Sequence, residues 1–208
     1  DAVRESTAVD SVDGVRPRLV VEPRTQEGLA AALGWATSRT LTIGVRGGGT
    51  KLQWGGNVGP VDLLVLTGSL NSLVKHRYGD LTATVEAGAT LSSINAALAN
   101  HDQWLPMDPP WSDRATIGGI VATNDSGPSR HRHGAPRDLI IGCNFVLSDG
   151  QIAKSGGIVV KNVAGYDLAR LLTGSFGCLA VITRATFKLA PRAPSSRTVS
   201  IQLESISE

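Results

Sequence analysis

Three consecutive glycines, Gly47-Gly48-Gly49, follow directly on the apolar run Leu41-Thr42-Ile43-Gly44-Val45 and Arg46, and lead into Thr50-Lys51. A strand that ends in three residues without β-carbons must turn there with its backbone bare, and glycine alone takes both signs of φ at little cost. Such a loop can converge several main-chain N–H groups on one anion. Thr50 adds a hydroxyl donor, while Arg46 and Lys51 add positive charge at the loop's edge. A plain surface turn between two strands would use the same residues, so both readings stand at this point.

Two common phosphate motifs do not fit. From Gly44 the chain reads G-x-x-x-x-G-T-K, with the lysine after the hydroxyl residue instead of before it, which counts against nucleotide hydrolysis by a P-loop. Leu52 stands three places after Gly49, where a dinucleotide fingerprint of the G-x-G-x-x-G kind needs glycine.

A second constellation of small residues lies further on. Asp108-Pro109-Pro110 precedes Ala115-Thr116-Ile117-Gly118-Gly119, and Ala122-Thr123-Asn124-Asp125-Ser126-Gly127 follows. This stretch is too rich in glycine for an ordinary core helix. It offers either a polar-edged surface for a flat ligand or a close helix–sheet approach.

Around these loops the pattern is mixed. Leu19-Val20-Val21 reads as a short buried strand closed by Pro23. Thr25 caps the helix after it, with Glu27 in the first turn, Leu29, Ala32, Leu33 and Ala36 as its apolar face and Arg39 at its negative end. With the 41–45 strand and Leu63-Leu64-Val65-Leu66 this makes a small β-α-β-β lobe over about 17–69. From about 70 to 190 the texture suits a larger mixed lobe. Leu73–Tyr78 and Leu81–Glu86 form a hairpin about Gly79-Asp80, Thr90 or Ser92 starts a helix, and Leu139–Leu147 and Leu179–Leu189 are long strands. Residues 1–16 read as a flexible N-terminal segment and 191–208 as a linker or tail toward a further region; no solenoid-length repeat is visible. The expected class is α+β.

Composition narrows the function classes. With 41% hydrophobic and 18% charged residues the chain suits a folded globular domain, and a formal charge of +2 gives no case for a nucleic-acid partner. No apolar stretch approaches the roughly 20 residues of a membrane span. The opening Asp1-Ala2-Val3-Arg4-Glu5 lacks a signal peptide's regions and an initial Met, as in a processed or trimmed chain. Cys143 and Cys178 both sit in strand-like runs without metal-ligand spacing, so buried free thiols in a reducing compartment are expected. Arg130-His131-Arg132-His133 fits a solvated basic loop better than an anion site or a histidine metal site, and no metal is expected. Trp54 and Trp111 either pack or border the ligand, and Tyr166 is either a core residue or part of a site motif.

Arg46-Gly47-Gly48-Gly49-Thr50-Lys51, Ala115-Thr116-Ile117-Gly118-Gly119, Lys161-Asn162-Val163-Ala164-Gly165-Tyr166-Asp167-Leu168 and Gly174-Ser175-Phe176-Gly177-Cys178-Leu179 together, in order and spacing, resemble the vanillyl-alcohol-oxidase (PCMH) type of FAD-binding domain. The likeness covers roughly 17–190 and is strongest to the FAD-binding subunits of bacterial glycolate oxidases. It implies a two-lobed fold with FAD between the lobes, Arg46 and Gly47 to Lys51 at the pyrophosphate, and Asp108, Ala115, Thr116, Gly118, Gly119, Thr123, Asn124 and Gly127 lining the cofactor from the second lobe. It also puts the Ile182 backbone at the adenine or ribityl part.

Relatives with covalent flavin often carry histidine in or just after the glycine loop; Thr50 stands here, so the resemblance implies noncovalent FAD. Cys178 and Ala180 depart from the family's G-S-x-G-T-L-G pattern. The implied activity is oxidation of a 2-hydroxy acid such as glycolate, with partner flavoprotein and iron–sulfur subunits, or else a noncatalytic flavin-holding role in such an assembly. The implied location is the cytoplasm, or the inner membrane's periphery through the complex. No residue is singled out as catalytic base, and Gly48→Val is expected to block the diphosphate while leaving the fold intact.

Overall fold

The computed structural model describes residues 3–56, 59–157 and 166–201. Its elements in chain order are β1 (Val3–Glu5), β2 (Leu19–Val21), α1 (Gln26–Thr37), β3 (Ile43–Arg46), β4 (Leu63–Leu66), β5 (Leu73–Arg77), β6 (Thr82–Glu86), α2 (Leu91–Leu98), β7 (Gln103–Trp104), α3 (Ile117–Thr123), α4 (Arg130–His133), α5 (Pro136–Leu139), β8 (Ile140–Val146), β9 (Ile152–Gly156), α6 (Leu168–Leu172), β10 (Val181–Lys188) and β11 (Ala190–Pro191). The α+β class expected from the sequence is the class observed.

The first sheet has the order β1-β2-β4-β3, with β4 parallel to both its neighbours and β1 antiparallel at the edge. Central position explains the unbroken apolar run of β4. Leu63 and Val65 pack toward α1 while Leu64 packs with Val12 and Val20 on the opposite face. Thr25 Oγ1 accepts the Gly28 N–H at 3.0 Å and so caps α1, which buries Leu29, Leu33 and Ala36. The Arg39 guanidinium covers the Trp35 ring at 4.7 Å just past the helix end.

The second sheet, β5-β6-β10-β8-β9, is antiparallel throughout, with the eight-residue β10 at its centre. A 3-10 turn over Tyr78–Asp80 joins β5 to β6, and Leu81 closes it at φ 52°. The Thr90 side chain caps α2, and α2 and α3 close one face of this sheet over Ile94, Leu98, Ile117, Ile120 and Phe187. The sheets meet through α1, because Val146 and Val181 join its apolar cluster. Gly150, at φ +89°, brings the β8–β9 turn against the Ala30 carbonyl, where a β-carbon would lie 2.7 Å from that oxygen.

Both ends depart from expectation. Residues 3–16 are held to the first sheet instead of trailing from it: Val3–Glu5 add an edge strand, Val12 packs on Val20 and Leu64, and Asp10 is buried. The cause is a charge pattern that a polarity count misses, because Arg4 donates to both Asp10 carboxylate oxygens, at 2.7 and 2.9 Å, and Thr7 donates twice more. At the other end Pro191 pairs opposite Gln103, so ordered structure runs past 190 before the exposed stretch 192–200. The Lys161–Gly165 part of the third resemblance motif lies outside the described residues, and Tyr166 beside it is exposed, not a core residue.

Candidate functional site

β3 is an edge strand of the first sheet, and the glycine loop leaves its C-terminal end. The main-chain N–H groups of Gly47, Gly48, Gly49 and Thr50 donate to no acceptor among the described residues. Gly49 takes φ +70°, the left-handed conformation that anion-binding backbone nests use. These residues line a cleft of about 360 Å³ whose far wall is Thr116, Gly119, Ala122 and Thr123 from the α3 segment, with Phe176, Gly177 and Cys178 at one side. A smaller chamber of about 90 Å³ adjoins it, lined by Gly118, Ala180, Val181 and Ile182.

The two glycine constellations of the sequence are in direct contact. A β-carbon at Gly47 would occupy the place of the Thr116 hydroxyl, and one at Gly48 would overlap the Arg114 carbonyl oxygen. Both glycines are therefore needed for the loop to close on the second sheet's helical face, as well as for bare amides. This corrects the expectation that Gly48→Val spares the fold, since the new side chain must push the 114–116 backbone aside. Gly118 makes the helix–sheet approach, donating its N–H to the Ala87 carbonyl at 2.7 Å, whereas Gly119 faces the cleft. Gly118 thus makes the close helix–sheet approach and also borders the smaller chamber, while Gly119 lines the cleft itself.

Thr116 Oγ1 is buried and has no hydrogen-bond partner. Native interiors rarely leave such an atom unpaired, and this one belongs to a residue of the cleft wall. A donor hydroxyl, four unpaired amides and a cleft that neither carboxylate nor imidazole lines among the described residues suit the diphosphate of a dinucleotide.

The remaining residues singled out in the sequence are held by partners within the protein. Arg46 turns under the loop, and its guanidinium meets Asp10 at 3.6 Å and the Val9 carbonyl at 3.1 Å, so its charge goes to the N-terminal segment and not to the loop's rim. Lys51 stays at the cleft, but its ammonium pairs with Asp125 at 2.9 Å, each side chain only 5% exposed. Asp108, Ala115, Asn124 and Gly127 support the α3 segment from behind: Asp108 accepts the Ser129 N–H, and Asn124, at φ 51°, ends α3 and accepts the Arg137 N–H.

Several cleft residues carried no individual signal. Val12 sits in an unremarkable local pattern; Ala122 opens the last part of the second small-residue constellation, and Phe176, at φ 54°, and Gly177 belong to the Gly174–Leu179 motif, whose two glycines are the hint. Cys178 is exposed at the cleft instead of buried, while Cys143 is buried and its burial pushes the thiol up to about 12. Arg130, His131 and Arg132 are exposed on α4, and no metal-ligand cluster occurs among the described residues. Trp54 and Trp111 are both about half exposed.

Fold and cleft together define a cofactor-binding domain of α+β architecture, with a glycine loop unlike those of P-loop or Rossmann proteins. The chain belongs to the FAD-binding domain family, PCMH type, which matches residues 17–156, and its cofactor is FAD. It is 36% identical to a D-lactate dehydrogenase of Archaeoglobus fulgidus over 84% of the chain and 39% of that protein. It is 41% identical to the glycolate oxidase subunit GlcE of Escherichia coli over 65% of the chain and 40% of that subunit. With the glycolate oxidase subunit GlcD of Bacillus subtilis the identity is 33% over 91% of the chain and 40% of that subunit. The chain thus spans about two fifths of the length of these relatives. A solved alkyldihydroxyacetonephosphate synthase shares the fold, with a TM-score of 0.74 over 85% of the chain and 32% of that protein at 23% identity.

Proposed function

We propose that the chain is the FAD-holding part of an oxidoreductase that oxidises a 2-hydroxy acid such as glycolate, binding FAD noncovalently in the cleft between its two sheets. The observation that carries this is that the unpaired amides from Gly47 to Thr50 and the unpaired Thr116 hydroxyl belong to residues lining one cleft. Thr50, Thr116, Gly118, Gly119, Thr123 and Ile182 serve the cofactor directly. Arg46, Lys51, Asp108, Ala115, Asn124 and Gly127 serve it by holding these in place.

Bound FAD supplies a two-electron acceptor for the substrate's carbon–hydrogen bond. The chain's own residues bind, orient and shield. Residues 17–190 act as one unit whose lobes, about 17–69 and 70–190, contribute the two walls of the cleft. Glycolate oxidase subunits among the relatives favour partner flavoprotein and iron–sulfur subunits, in the cytoplasm or at a membrane's periphery through that complex. No helix of the described residues is long and apolar enough to cross a membrane.

One observation favours a flavin-holding role in which another polypeptide segment completes the chemistry. Oxidation of a hydroxy acid needs a base for the hydroxyl proton, and among the described residues no carboxylate or imidazole lines the cleft. The test is an anaerobic spectrum of the FAD-loaded chain with and without glycolate and D-lactate. Flavin bleaching by either acid supports the catalytic form. Bleaching only after partner subunits are added supports the holding form. A chain that takes up no FAD from a molar excess contradicts both.

A further inference from the structure

Lys51 and Asp125 bring charge where the cleft's walls join. Their side chains are each 5% exposed, the ammonium stands 2.9 Å from Asp125 Oδ2, and that oxygen has no properly aligned hydrogen bond of its own. The ammonium also donates to Thr50 Oγ1 at 3.0 Å, and Thr50 lines the cleft. Asp125 is fixed from behind, because its N–H donates to the Ile120 carbonyl at 3.1 Å, inside α3. The connection therefore runs from α3, through an ion pair, to the last residue of the amide nest.

A lysine beside a glycine loop is ordinarily taken as a direct phosphate ligand. Here its charge is already matched by a buried carboxylate, and burying two charges is worthwhile only when their geometry is closely held. Since Thr50 Oγ1 accepts from Lys51, the hydroxyl proton of Thr50 is left to point elsewhere, and the cleft is the open side.

We infer that Lys51 and Asp125 are a positioning pair: they lock the glycine loop onto the α3 segment and aim the Thr50 hydroxyl, and neither supplies charge to the FAD diphosphate. This rests on the proposed FAD site.

The two roles predict opposite signs for Asp125→Asn. As a direct ligand, Lys51 released from its partner would hold the diphosphate more tightly. As a positioning pair, the loop loses its lock and FAD affinity falls at least tenfold. Lys51→Met is expected to weaken FAD by a similar factor, and the Lys51→Met/Asp125→Asn double variant by no more than the weaker-binding single variant, because both remove one device. Lys51→Arg keeps the pair and should bind within about threefold of wild type, as pairing with a carboxylate survives the exchange.

Affinity is read by quenching of flavin fluorescence on the full chain, well below the melting transition of each apo variant, where a role confined to fold stability leaves the dissociation constant unmoved. Unchanged or tighter binding in Asp125→Asn overturns the inference while leaving the FAD site standing; absence of FAD binding in the wild-type chain overturns the site itself. Should Asp125→Asn not fold, Asp125→Ser, which keeps Lys51 and also removes the carboxylate, takes its place. At least tenfold weaker binding then supports the pair, and unchanged or tighter binding overturns it.

Discussion

Gly48 lies against the carbonyl oxygen of Arg114 with no room for a methyl group between them. The contact joins the glycine loop of one sheet to the helical segment covering the other, so this glycine serves the junction before it serves any ligand. Gly48→Val is expected to destabilise the apo chain by roughly 1–3 kcal/mol, the usual cost of overpacking, and to lose FAD as a consequence. Gly119→Val is its counterpart: a β-carbon there meets only Thr116 Oγ1, at 3.3 Å, and otherwise enters the cleft. Thermal melts of the two apo variants should separate them, with Gly119→Val near wild type and defective in FAD binding alone.

Thr116→Val removes a buried hydroxyl that has no partner in the apo chain and makes no helix-capping bond. Stability should stay level or rise by up to about 1 kcal/mol, because an unsatisfied buried polar group is costly. FAD affinity should fall about tenfold, the worth of a hydrogen bond of about 1.4 kcal/mol. Chemical denaturation and FAD titration on the same sample check the two signs.

The two thiols should react differently. Cys178, exposed at the cleft, is expected to take up one equivalent of a thiol reagent in the native chain, while Cys143, buried with its thiol held protonated by desolvation, reacts only on unfolding. Saturating FAD should slow Cys178 at least several-fold because that residue lines the cleft. Equal reactivity of both cysteines, or no protection by FAD, would count against this geometry.

Acid should loosen the N-terminal segment first. Hydrogen bonds from Arg4 and then Thr7 hold the Asp10 carboxyl well below its usual value, and the Thr42 N–H and hydroxyl do the same for Asp62. A carboxylate whose folded pKa is depressed gives stability that is complete above its unfolded value, near 3.8, and is lost as pH falls through the folded value. Melting temperature should therefore hold from neutral pH to about 4 and drop below it. Asp10→Asn should lower the melt at pH 7 and shrink the drop between pH 4 and pH 2.

Much of this was legible from residue order. Thr25 announced its helix, Gly79-Asp80 its hairpin, and Gly47-Gly48-Gly49 the loop that forms one wall of the cleft. What escaped were relations between distant residues with weak local signals. Asp10 reads as one acid in a polar stretch until Arg4 and Arg46 converge on it, which also removes Arg46 from the loop's rim. Asp125 sits among small residues, and nothing in its neighbourhood marks it as the partner of Lys51. The order β2-β4-β3 places the later strand between two earlier ones, a choice that hydrophobic pattern alone does not determine. Cys178 shares the texture of the strand after it, and only the turn at Phe176 and Gly177 carries it out to the cleft.

The central claim is that the amides from Gly47 to Thr50 grip the cofactor's diphosphate, and amide resonances of the isotope-labelled chain during an FAD titration test it most directly. The amides of Gly48, Gly49 and Thr50 should move with large downfield proton shifts as they gain charged acceptors, saturating together with the flavin fluorescence change. FAD that binds stoichiometrically while these resonances stay in place would contradict the account.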